Sequence, residues 1–333
     1  MVAVVLAEAV SPGASVAGIV GAERCRAIPY SVALAECPKE YLASAHASLA
    51  FACCYHELLI SNLSGRRNMK LEIISKHPSQ PSGEPPLLFV HGAWHGAWCW
   101  DVHFMDYFVR QGFTVHAVSL RGHGKSEGRE KLRWTRIAEY VEDVVTVAQS
   151  LPKPPIVIGH SMGGLVVQKY LELHPAPAAV LLASVPPSGV LATTLRLTRR
   201  HPLIIAKVNL TFSLYPLVAS PSLTREAFFS DSLSDVQVQG YWGQMQDESY
   251  LGFLDMLAFN LPRPEKVKTP ILVLGASKDT VFSPAEVEAT ARAYNTTADI
   301  INDMAHDMML EPKWESVAER ISDWLKGRVA AKD

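Results

Sequence analysis

Three residues far apart in the chain share one chemistry. Ser161 sits in Gly159-His160-Ser161-Met162-Gly163. Asp279 follows the apolar run Pro270–Gly275, and His306 follows Ala298–Asn302. A serine hydroxyl is a poor nucleophile until a base takes its proton. Histidine is the usual base, and a carboxylate behind it fixes the ring's tautomer and stabilises its cation. The three residues therefore read as a nucleophile (Ser161), a general base that later acts as acid (His306) and an orienting acid (Asp279). Asp303 and Asp307 flank His306 and compete for the third role. Sequence neighbours of a histidine usually point away from its ring, so Asp279 is the preferred partner. The chemistry this trio can do is acyl transfer through a covalent intermediate.

Acyl transfer also needs donors for the oxyanion that forms in the transition state. Leu87–Val90 runs into His91-Gly92-Ala93-Trp94-His95-Gly96-Ala97-Trp98, a turn with exposed backbone. The N–H groups of Ala93 and of Met162, the residue after the nucleophile, are the candidate pair. Neither His91 nor His95 is placed to be the base, and both read as braces of the turn.

Those residues must be carried by particular elements. Ile156-Val157-Ile158 is a short β-branched run, and Leu165–Leu173 has helical apolar spacing that Pro175 ends. A G-x-S-x-G placed on a sharp strand-to-helix turn exposes the serine above a sheet. Further strands are expected at Lys70–Ile74, Leu87–Val90, Phe113–Leu120, Ala178–Ser184, Pro270–Gly275 and Ala298–Asn302. Helices are expected at Trp98–Gln111, Ile137–Gln149, Pro284–Ala293 and Trp314–Leu325. Strands alternating with helices imply an α/β fold with a mostly parallel sheet and helices on both faces. The loop Arg121-Gly122-His123-Gly124-Lys125-Ser126 lacks phosphate-loop spacing and reads as a shaped loop lining the site.

From residue 188 to 262 the alternation stops. Helical stretches at Leu203–Tyr215 and Tyr250–Leu261 take over, with large apolar side chains at Phe212, Leu214, Tyr215, Phe228, Phe229, Trp242, Met245 and Phe253. An insertion that leaves a strand's carboxyl end starts beside the ligand edge of such a sheet. Residues 188–262 are therefore expected to form a helical cap over an apolar pocket. Residues 69–187 and 263–333 form the core. Arg196, Arg199 and Arg200 read as a solvated face.

Residues 1–68 differ from the rest. They are alanine-rich, and Glu8 is the only charge in the first 22. They read as a poorly ordered extension, with Met69 as a possible natural start. The extension lacks the positive region of a secretory signal, and its acids argue against a transit peptide. Four of the five cysteines lie within it, so no disulfide framework is indicated. A reducing, cytoplasmic location is the simpler expectation, with organellar targeting by the extension left open. The net charge of −2 gives no reason to expect nucleic acid. No stretch is apolar enough for a membrane span. No His/Cys/carboxylate cluster suggests a metal, and no cofactor is implied. Oligomeric state is not legible.

The order Ser161, Asp279, His306 is the chain order of the α/β-hydrolases. Over residues 70 to 327 the chain resembles that superfamily. His91-Gly92-Ala93, Arg121-Gly122-His123-Gly124, Gly159–Gly164, Gly275-x-x-x-Asp279 and Ala305-His306-Asp307 carry the resemblance. The segment His91–Trp100 is similar to methylesterases and hydroxynitrile lyases. The Arg121 loop is closer to monoacylglycerol lipases and carboxylesterases. The resemblance implies a serine esterase or lipase acting on a small-molecule ester with an apolar part, without a cofactor. A lyase or acyltransferase with the same triad, or a non-enzymatic small-molecule receptor of the same fold, are the alternatives.

Overall fold

The computed structural model describes residues 69–329. The expectations for residues 1–68 lie outside the described residues. Seven strands form one sheet: β1 (Glu72–Lys76), β2 (Leu87–Val90), β3 (Val115–Ser119), β4 (Ile156–His160), β5 (Ala179–Leu182), β6 (Ile271–Ala276) and β7 (Ala298–Ile301). Their spatial order is β1-β3-β2-β4-β5-β6-β7. β1 pairs antiparallel with β3, and every other pairing is parallel. Strands β2 to β6 are buried throughout. Their continuous apolar runs are what a parallel sheet covered on both faces requires.

Helices α1 (Trp98–Asp101), α2 (Phe104–Arg110), α3 (Ile137–Ser150), α4 (Met162–Leu171), α10 (Pro284–Ala293) and α11 (Trp314–Val329) belong to the alternating core. Between β5 and β6 lies a run of helices: α5 (Leu191–Arg200), α6 (Pro202–Thr211), α7 (Pro221–Phe228), α8 (Asp235–Trp242) and α9 (Tyr250–Leu254). Two apolar clusters cover the two sheet faces, one built on Phe89, Trp100, Phe104 and Phe108, the other on Ile137, Tyr140, Val144 and Leu165.

β2 has β3 on one side and β4 on the other, so the chain leaves β2 in one direction and returns past it in the other. Ligands in open α/β sheets bind at such a reversal, beyond the strands' carboxyl ends. Register sharpens the point. Val90 pairs with Gly159, so Ala93 and Met162 each stand three residues beyond the same rung.

Three local expectations differ. Trp98–Gln111 is two helices, because His103 leaves helical backbone (φ −141°, ψ −53°) and its ring stacks on Trp314 at 4.8 Å. Tyr250–Leu261 changes pitch. After α9 it widens into a π-turn over Asp255–Phe259, whose Asp255 carboxylate accepts from Arg136 Nε and the Ile137 N–H, both at 3.0 Å. The apolar side chains of 188–262 look exposed along the chain, yet Leu214, Phe228, Phe229 and Met245 are buried.

Candidate active site

Ser161 occupies the turn between β4 and α4 with φ 50° and ψ −118°. A non-glycine residue there costs about 1–3 kcal/mol and persists only where its surroundings fix it. Its N–H donates to Leu182 O at 3.1 Å. Its own carbonyl accepts from Gly164, Leu165 and Val185 N–H. The turn is tight: a Cβ on Gly163 would run into the carbonyl oxygens of Val90 and His91, and one on Gly92 would come within 3.0 Å of Ser161 Cβ. The loops after β2 and β4 are thus in backbone contact. Gly163→Ala is expected to destabilise the protein by about 1–3 kcal/mol, because backbone must move to admit the methyl. Thermal denaturation measures it; an unchanged midpoint would contradict the contact.

Asp279 and His306 come together. His306 Nδ1–H donates to Asp279 Oδ2 at 2.8 Å. Asp279 Oδ1 accepts from Val281 and Phe282 N–H at 2.7 and 2.9 Å, which fixes the carboxylate. The competing acids lie elsewhere. Asp303 is exposed on Lys278 and Lys313. Asp307 is buried on His95. The His306 ring is walled by Phe228 at 5.7 Å and Phe282 at 5.6 Å. Among the described residues its Nε2 has no hydrogen-bond partner, while Nδ1 is taken by Asp279. Ser161 and His306 both line one cavity of about 210 Å³, and Ala93 and Met162 line it too. Among the described residues neither of those two N–H groups donates to a backbone or side-chain acceptor. Among the described residues no hydrogen bond joins Ser161 Oγ to His306; catalytic hydrogen bonds often tighten only with substrate bound.

Behind this front His91 and His95 brace the β2 loop as expected, whereas the burial of His160, His123, Asp307 and Glu248 was missed by sequence reasoning. His160 Nε2–H donates to His306 O at 3.1 Å, tying the residue before Ser161 to the His306 loop. Burial, then the neighbouring His306, push His160 down to about 3, so it is neutral at ordinary pH. His91 donates from Nδ1 to Gly92 O at 2.7 Å and accepts the Leu120 N–H on Nε2 at 3.0 Å. Burial, then His123, lower it well below the usual value. His95 is different, because both its nitrogens face acceptors: Ala93 O at 2.7 Å and Asp307 Oδ2 at 3.0 Å. Burial alone would lower it, but the Asp307 charge and hydrogen bond raise it instead. Burial would likewise raise Asp307, yet His95 holds it below the usual carboxylate value. Burial would raise the fully buried Glu248 as well, but His123 together with the Ser249 N–H and Tyr140 OH hydrogen bonds holds it low. Nothing in its sequence setting, Gln246-Asp247-Glu248-Ser249, marks it as an interior residue.

Two further expectations are corrected. The Arg121–Ser126 loop does not line the cavity; it stands behind the β2 loop, with His123 against His91 at 4.9 Å. Arg196 and Arg200 are not only a solvated face. They line the cavity while paired with Glu286 and Glu226. Of the larger apolar residues expected in the pocket, Leu214, Phe228 and Phe253 line it. Phe212 turns outward against Trp134 and Tyr250. His160, His306 and Asp307 approach closely enough to suggest a metal, but His306 Nδ1 is committed to Asp279 and Asp307 Oδ2 to His95.

The chain belongs to the alpha/beta hydrolase family, whose model matches residues 87–320, and its mostly parallel seven-stranded sheet with helices is that family's fold. Among curated proteins it is similar to methylesterase 3 of Arabidopsis thaliana, 30% identical over 104 residues, which is 31% of this chain and 39% of that protein. It is also similar to a monoacylglycerol lipase of Mycolicibacterium smegmatis, 23% identical over 67% of this chain and 81% of that protein. The chain spans well under half the length of the methylesterases it matches. Its fold is shared with the monoacylglycerol lipase of Paleococcus ferrophilus (TM-score 0.58, 22% identity, 76% of this chain and 98% of that one). It is shared equally with a thermophilic esterase from Thermogutta terrifontis (TM-score 0.59, 19% identity, 78% and 94%). No helix among the described residues is long and apolar enough to cross a membrane.

Proposed function

We propose that the protein is a serine hydrolase that cleaves a carboxylic ester with an apolar part through an acyl-enzyme. One observation carries the reading: the Asp279–His306 pair opens onto the same cavity as the strained Ser161 and the uncommitted N–H groups of Ala93 and Met162. His306 takes the Ser161 proton as Oγ attacks the ester carbonyl. The two N–H groups receive the oxyanion. His306 then protonates the leaving alcohol and activates a water for deacylation. Asp279 holds the imidazole with Nε2 unprotonated and balances its charge when it is protonated.

Residues 188–262 act in this reading as the cap that shapes the substrate's apolar part. Leu197, Ile204, Leu214, Leu217, Phe253 and Met256 line the same cavity as Ser161 and make its wall apolar. Each buried CH₂ contributes about 0.8 kcal/mol, roughly fourfold in binding. With p-nitrophenyl esters, kcat/KM is therefore expected to rise from acetyl toward medium chains and then level off. Leu197→Ser and Phe253→Ser are expected to flatten that rise while leaving the acetyl rate little changed. A profile that peaks at acetyl or at methyl esters would overturn the cap reading. It would favour a small, methylesterase-like pocket, which the His91–Trp100 segment supports. No turnover of any ester or thioester would favour a receptor.

A further inference from the structure

The peptide joining Ala93 to Trp94 is held at both ends by buried side chains. Its carbonyl accepts from His95 Nδ1–H at 2.7 Å, and its N–H donates to Glu248 Oε2 at 3.3 Å. His95 is anchored in turn on Asp307, the residue after His306. Glu248 accepts from His123 Nε2–H at 3.0 Å, from Tyr140 OH at 2.7 Å and from Ser249 N–H at 2.6 Å. Four donors therefore converge on its two oxygens. His95, Asp307, His123 and Glu248 are all at least 99% buried.

The clamp has something to hold. Trp94 has φ 65°, left-handed backbone that a bulky L-residue rarely adopts. The 188–262 segment grips it at two further points, with the Trp94 indole N–H donating to Leu214 O at 3.3 Å and Trp94 O accepting from Gln246 N–H at 3.1 Å. The loop beside Ser161 is thus fastened to the inserted helices as well as to the sheet.

We propose that Glu248 and His95 are positioning residues: by clamping the Ala93–Trp94 peptide they fix, across the Ala93 Cα, the neighbouring Gly92–Ala93 peptide whose N–H receives the oxyanion. The proposal rests on the hydrolase reading above. It couples the packing of the inserted segment to transition-state stabilisation, since Glu248 belongs to that segment and Asp307 to the loop that carries the base. An acceptor-only group suits the Glu248 position. A glutamine there keeps the volume but offers one acceptor oxygen and turns an amide N–H₂ toward donors.

The test is Glu248→Gln in the full chain, with kcat referred to sites counted by active-site titration. Complete loss of one oxyanion donor costs about 10²–10³ in kcat. A donor that is misaimed rather than lost is expected to cost on the order of 10–10², with KM within about twofold. The rate of labelling by a fluorophosphonate, whose P–O oxygen occupies the same place, should fall in parallel. Amide exchange across residues 91–98 should accelerate. His95→Gln should act in the same direction, and the double variant should lose less than the product of the two, because both arms hold one peptide. Titrated kcat and labelling rate at wild-type level in Glu248→Gln would overturn the proposal, as would multiplicative losses. If the wild type itself fails to label at Ser161, the hydrolase reading falls instead. The clamp is then judged by exchange alone, and unchanged exchange at Trp94 in Glu248→Gln overturns it.

Discussion

Ser161→Ala is expected to lower kcat for ester hydrolysis by about 10⁶, the scale seen when the nucleophile of a serine triad is removed. The fold should survive. The turn is held by backbone contacts, Ser161 N–H to Leu182 O and Ser161 O from three N–H groups, and alanine keeps all of them. Its Cβ sits where serine's does. Circular dichroism and the denaturation midpoint should therefore match the wild type while turnover and fluorophosphonate labelling disappear. Retention of more than about one per cent of turnover would mean that another group attacks, because the background left by binding and oxyanion donors alone is far smaller.

Asp279→Asn is expected to cost on the order of 10⁴ in kcat, because an amide can donate to Nδ1 and leave the proton on the wrong nitrogen. Two features make Asp279 the residue to test. Its second oxygen is already bound by the Val281 and Phe282 N–H groups, so the carboxylate cannot swing away. Its Oδ2 is the only carboxylate oxygen bonded to the His306 ring among the described residues. Asp303→Asn removes an exposed partner of Lys278 and Lys313 and should change kcat by less than about twofold, in line with the small worth of exposed ion pairs. A larger loss at Asp303 than at Asp279 would reverse the assignment of the acid.

The sheet was legible in the sequence because its strands are short apolar runs punctuated by glycine and proline. Leu87–Val90 and Pro284–Ala293 match their expected bounds. The elbow was legible because Gly159, Ser161 and Gly163 meet steric demands that few residues satisfy. What was not legible depends on tertiary contact. His103 breaks a helix that propensity would have continued, through its stacking on Trp314. Phe212 and Leu214 look alike along the chain, yet one faces outward and the other lines the cavity. The buried carboxylates were the least legible. Glu248 belongs to no sequence pattern and Asp307 reads only as a rival acid beside His306; only the fold shows that histidines from distant segments make their burial tolerable.

In the proposed reaction Ser161 becomes acylated. Its most direct test is mass spectrometry of the wild-type protein after brief incubation with a p-nitrophenyl ester and acid quench, with proteolytic mapping of the adduct. One acyl group per chain is expected on the peptide containing Ser161, appearing with the first burst of p-nitrophenol and absent from Ser161→Ala. Full turnover with no adduct on that peptide, or an adduct on another residue, would contradict it.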